Sequence, residues 1–105
     1  MPKLQAILTT LQRELSRILG NQFETLYLYG SQARGEAQAD SDIDVLVVIR
    51  GELNYAELLA KTSAVVAQLS LENDVVISRA FVSKTRFEHE QSPFLMNARR
   101  DAIFV

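Results

Sequence analysis

Cysteine is absent from this chain, which excludes disulfides and thiolate metal sites. A basic excess is absent too: eleven Lys and Arg face thirteen Asp and Glu, a net charge of −2 at pH 7. A broad electrostatic grip on nucleic acid needs a basic face, so no direct nucleic-acid binding is expected. No apolar run approaches membrane length, and the N-terminus lacks the charged-then-apolar pattern of a signal peptide. The expectation is a cytoplasmic protein without membrane contact. Histidine occurs once, as His89 between two glutamates, and reads as a solvated helix residue. Ser16, Ser41, Ser63 and Ser78 therefore have no plausible partner base, and a Ser-His-Asp triad has little support. Repeats, linkers and low-complexity segments are missing as well. The 105 residues suit one domain, residues 1–105, with roughly two-thirds of its unfolded surface buried.

What is present alternates between helical and strand periods. Leu4, Ile7, Leu8, Leu11, Leu15, Ile18 and Leu19 predict an amphipathic helix over 3–19, stopped by Gly20-Asn21. Phe23 to Tyr29 is aromatic-rich and reads as a buried strand, with Tyr27 and Tyr29 in the core. A short helical turn is expected around Ser31–Gly35. Apart from Asp44, Ile43 to Ile49 is a continuous apolar run, as a strand covered on both faces should be. Asn54 and Glu57 resemble a capping box, with exposed Tyr55 near the start of a second helix that runs to about Leu71. Asp74 to Val82 reads as a third strand, and a short helix follows around Thr85–Glu90. Ser92-Pro93 looks like an N-cap with proline at the first helical position. That last helix ends near Arg99-Arg100, where cations are favoured, and Ile103-Phe104-Val105 is placed as an edge strand or against the core. This order of helices and strands is that of an α/β layer arrangement.

The chemistry concentrates in residues 30–44. Asp42 and Asp44 open a strand one residue apart, so alternation puts both carboxylates on one face. Side by side they repel unless a cation sits between them, and a hard divalent ion, most often Mg²⁺, fits that oxygen-only geometry. The bland alternative is a pair of surface acids at a strand opening. Gly30-Ser31 ends the preceding apolar run, and ten residues lie between Ser31 and Asp42. Its backbone N–H groups and hydroxyl suit phosphate oxygens, and glycine permits a close approach or a positive φ. Metal plus phosphate cradle points to phosphoryl or nucleotidyl transfer. Arg34 offers a planar fork for a phosphate, or else pins the loop to Asp40 or Asp42. Gly35 reads as a turn requirement. Arg99-Arg100 is a lesser candidate for partner or nucleotide contact.

The run Gly30-Ser31, Ala33-Arg34-Gly35 and Ser41-Asp42-Ile43-Asp44-Val45 closely resembles the catalytic signature of the nucleotidyltransferase superfamily that includes DNA polymerase beta. More narrowly, the chain resembles the minimal nucleotidyltransferases, usually the antitoxin half of HEPN/MNT toxin–antitoxin pairs; Ser92-Pro93-Phe94 and Asn97-Ala98-Arg99-Arg100-Asp101 are also similar to that family. The resemblance implies a minimal nucleotidyltransferase core, a mixed β-sheet with helices packed mainly on one face. It implies a third carboxylate on a neighbouring strand, for which Asp74 is the natural candidate and Glu72 the fallback. Asp42, Asp44 and Asp74 would then hold two Mg²⁺ ions, and Gly30 and Ser31 would contact the β and γ phosphates of ATP. It further implies that AMP passes to a tyrosine hydroxyl of a HEPN-family RNase toxin within a hetero-oligomeric complex, inactivating the toxin. Two rival functions stand beside it: an antitoxin that only occludes its partner, and a nucleotidyltransferase for a small molecule, which the lack of a second domain disfavours. A template-directed polymerase is poorly supported.

Overall fold

The apolar stripe of residues 4–19 forms helix α1, Pro2–Leu19, with Leu11 and Leu15 completely buried. Gly20, at φ +55°, opens the 3₁₀ turn Gly20–Gln22 that leads into strand β1, Phe23–Tyr29. Helix α2 (Gly30–Arg34), strand β2 (Ile43–Ile49) and helix α3 (Tyr55–Asn73) follow. Strand β3 (Ile77–Ser83), helices α4 (Lys84–His89) and α5 (Pro93–Asp101), and strand β4 (Ile103–Phe104) complete the chain. The structure is a computed structural model that describes residues 2–35 and 42–105; Asp40 and Ser41 lie outside the described residues. No described helix is long and apolar enough to cross a membrane.

The four strands make one mixed sheet in the order β3-β2-β1-β4. β1 pairs antiparallel with β2 and β4, while β2 and β3 run parallel. β2 sits at the centre because its run Val45–Ile49 can be buried on both sides, which suits an internal strand. Ile43, Val45, Val47 and Ile49 face the two long helices, α1 and α3, and form the main core with Leu11, Leu15, Leu58 and Val66. Leu46 and Val48 face the other way and pack with Val82, Leu95 and Ala98 beneath the short helices. Helical cover thus lies mainly on one face, and α4 and α5 roof the other. Ser92 caps α5 as expected, its Oγ accepting from the Leu95 N–H. Asn54 Oδ1 accepts from the Glu57 N–H at the head of α3.

The third strand differs from the expectation. It begins at Ile77, not Asp74. α3 continues through Asn73, and Asp74 is its cap, in the left-handed region at φ 52°, donating its N–H to the Ser70 carbonyl. Val75 donates to the same carbonyl. A helix end must satisfy its last carbonyls, and here that demand takes Asp74 and Val75 out of the apolar run that otherwise reads as strand.

Candidate active site

Tyr29, the last residue of β1, pairs across the ladder with Asp44, the second residue of β2. The chain leaves β1 at Gly30 with φ +74°, a conformation that favours glycine, and turns directly into α2. A Cβ on Gly30 would lie 2.5 Å from Asp44 Oδ2 and 3.3 Å from its Cγ. The Asp44 carboxylate therefore occupies the space that any side chain at position 30 would need. Glycine is required here twice, for its backbone angle and for this approach. Residues well separated along the chain become one corner: Gly30-Ser31 on one side and a carboxylate against its backbone. Ser31 and Arg34 both lie in α2.

Asp42 stands one residue ahead of β2 and is exposed, while Asp44 is half-buried. The Ile43 N–H donates to the Val76 carbonyl at 2.9 Å, tying the start of β2 to the approach to β3. Extended alternation carried back across Ile43 sets Asp42 on the Asp44 side. Burial pushes the Tyr29 hydroxyl pKa up, and the negative charge of Asp44 pushes it in the same direction. Both effects keep this phenol neutral beside the carboxylate.

The expected third carboxylate is not assembled from the predicted residue. Asp74 belongs to the exposed cap of α3. The β3 residue level with Asp44 is Ser78, not an acid. Glu72 lies exposed in the last turn of α3, where it accepts from Gln68 at 2.7 Å. Among the described residues no three Asp, Glu, His or Cys side chains converge in a way that could hold a metal ion. Asp42 and Asp44, with substrate phosphate oxygens, still suit one hard cation of the Mg²⁺ kind, which commonly uses only one or two protein carboxylates.

Other singled-out residues resolve into structure. Arg99 donates to the Phe87 and Glu90 carbonyls at 2.6 and 2.7 Å, locking α5 to α4, and Arg100 pairs with Asp101. His89 is exposed. Ser63 bonds the Leu59 carbonyl. The Tyr55 hydroxyl accepts from the Phe81 N–H at 3.4 Å.

One feature at the corner escapes sequence reasoning. A cavity of about 220 Å³ opens beside Gly30, lined by Tyr29 and Gly30 from the sheet side and by Phe94, Asn97, Ala98 and Asp101 from α5. Tyr29 reads in the sequence simply as core. The available signal is the spacing of 94, 97, 98 and 101, which shares one helix face.

Comparison with known proteins bears on the family and the fold. A family model described as a nucleotidyltransferase domain matches residues 8–102. A Methanocaldococcus jannaschii protein named "putative protein adenylyltransferase" is 30% identical over 79 residues, 75% of this chain and 79% of the relative. A crystal structure of a "putative nucleotidyltransferase" from Sulfolobus solfataricus superposes with a TM-score of 0.62 at 20% identity, covering 97% of this chain and 80% of that one. A toxin–antitoxin crystallised with AMP-PNP superposes at 0.59 with 17% identity, covering 90% and 69%. With the family model spanning most of the chain and the glycine–aspartate corner in place, this protein belongs to the nucleotidyltransferase domain family.

Proposed function

We propose that the chain is an antitoxin that transfers AMP from ATP to a tyrosine hydroxyl of a HEPN-type RNase toxin. The observation that carries the transfer chemistry is the Asp44 carboxylate seated on Gly30, which joins the paired aspartates to the Gly30-Ser31 turn. The protein acceptor is supported by the name of the M. jannaschii relative, and the toxin partner by the toxin–antitoxin neighbour crystallised with an ATP analogue.

In this reading the triphosphate lies along the Gly30-Ser31 backbone, with Arg34 as a further phosphate donor. Asp42 and Asp44 would hold Mg²⁺ beside the nucleotide. Such an ion, when bound, neutralises charge that develops on the phosphate oxygens. The acceptor hydroxyl gives up its proton to solvent water as its oxygen bonds to the α-phosphorus. The bond from that phosphorus to the bridging oxygen breaks, and pyrophosphate leaves. Asp42 and Asp44 position the reacting phosphate, and fixed geometry is the main contribution proteins make to this kind of transfer.

The test is intact mass spectrometry of the HEPN partner after mixing with this chain, ATP and Mg²⁺, beside an Asp42→Asn/Asp44→Asn control. AMP-sized increments that vanish with the control are expected. No increment while the toxin stays silent in a stable complex would leave an occluding antitoxin instead.

A further inference from the structure

The cavity beside Gly30 has a chemical character unlike that of the phosphate turn it adjoins. Its α5 wall presents an aromatic ring, an amide and a carboxylate at positions 94, 97 and 101. Phe94 meets Tyr29 edge-on, with ring centroids 5.8 Å apart at 89°. That contact packs the Phe94 ring against Tyr29 and leaves the residue 49% exposed, so much of it is open to a ligand. Asn97 is exposed, and its side-chain amide makes no hydrogen bond among the described residues. Asp101 completes the wall, its carboxylate paired with Arg100. The lining residues offer no cationic side chain for a phosphate, whereas a neutral aromatic ring system needs none.

We propose that this cavity holds the nucleoside half of the substrate nucleotide, with an adenine base stacked on Phe94 and its polar edge read by the Asn97 amide. The inference rests on the nucleotidyl-transfer reading above. Base–aromatic stacking is a general and strong means of holding a nucleobase, and a side-chain amide matches the donor–acceptor pair on one edge of adenine. Gly30 lines the cavity and also carries the Asp44 contact, so base and phosphates would meet at the same residue. Tyr29 acts here as a positioning residue, holding Phe94 in place.

Isothermal titration of the whole chain with Mg²⁺ and either a non-hydrolysable ATP analogue, the guanine counterpart, or inorganic tripolyphosphate separates the two halves of the ligand. The ATP analogue should bind more tightly than tripolyphosphate. Phe94→Ala should weaken the analogue about tenfold and leave tripolyphosphate unchanged. Asn97→Ala should erase the preference for adenine over guanine; both positions are exposed, and circular dichroism would check that the variants fold. An analogue that binds no better than tripolyphosphate, or equally well to all three proteins, overturns the nucleoside site while leaving the phosphate corner intact. Failure of every ligand to bind the unsubstituted chain would instead remove the transfer reading and this inference with it.

Discussion

Gly30 concentrates in one residue what the site demands of the backbone. Replacing it with alanine meets two separate penalties. The first is the left-handed conformation at φ +74°, which costs a residue bearing a Cβ about 1–2 kcal/mol. The second is the contact with Asp44 Oδ2, which cannot persist, so the carboxylate must swing away. Gly35 offers an internal comparison, because its φ is +73° but a Cβ there would meet nothing within 4 Å. Gly30→Ala and Gly35→Ala should therefore lose similar stability in urea denaturation. Only Gly30→Ala should also lose affinity for Mg²⁺ with an ATP analogue, by about tenfold or more if one charge-assisted contact is displaced. Equal affinity losses in the two variants would mean that the Asp44 contact is incidental. The positive φ at residue 30 was foreseeable from the Gly-Ser dipeptide; the carboxylate over it was not, because that contact needs β1 and β2 paired in one particular register.

Among the elements, β1 and β2 have the bounds their apolar runs predict, since a strand buried in the middle of a sheet leaves a continuous hydrophobic trace. β3 does not. Asp74-Val75-Val76 joins smoothly to Ile77 in the sequence, and periodicity alone cannot reveal that α3 runs on to Asn73 and needs a left-handed cap. The same blind spot hid Ser78 as the neighbour of Asp44, because parallel register is set by where the crossover helix ends. Arg79 is a further surprise: a charged residue on the inner side of β3, it donates to Thr62 Oγ1 at 2.7 Å and to the Leu59 carbonyl at 3.0 Å, stitching β3 to α3. The cap reading of Asp74 has a direct test. A negative charge at a helix C-terminus opposes the helix dipole, and asparagine tolerates the left-handed region well. Asp74→Asn should thus raise stability by about 0.3–1 kcal/mol. Its Mn²⁺ affinity with bound ATP analogue, followed by electron paramagnetic resonance, should stay unchanged while Asp44→Asn loses it. A matching loss in Asp74→Asn would restore Asp74 as a metal ligand.

At the scale of the molecule, charge is arranged as ion pairs that tie neighbouring elements, and the site adds one group that titrates in the opposite sense. Glu24 on β1 accepts from Arg50 Nε at 2.7 Å and lies 3.6 Å from Lys84 Nζ, joining the end of β2 and the start of α4 to the sheet. The Arg50 hydrogen bond holds the Glu24 carboxyl below the usual range. Glu90 is lowered first by its bonds from Arg86 and then by that from Ser92, and Glu14 by Arg17. A carboxyl lowered on folding stabilises the fold above its unfolded pKa, about 4.3, and loses that contribution as pH falls through the folded value. These carboxylates are half-buried pairs that still reach solvent, so the acid limb should be shallow and weakened by salt. Tyr29 behaves conversely. Its raised pKa, from burial and then from Asp44, gives stability that is complete below its unfolded value of about 10 and is lost as pH rises through the higher folded value. The melting temperature should accordingly hold a plateau between about pH 5 and 10 and fall on both sides. Glu90→Gln should flatten the acid limb at low salt. Tyr29→Phe, which removes the ionisable hydroxyl but keeps the ring against Phe94, should fall less steeply than the parent above pH 10. Parallel alkaline limbs for the two proteins would show that Tyr29 does not feel the Asp44 carboxylate, and would separate the aromatic cavity from the aspartate corner.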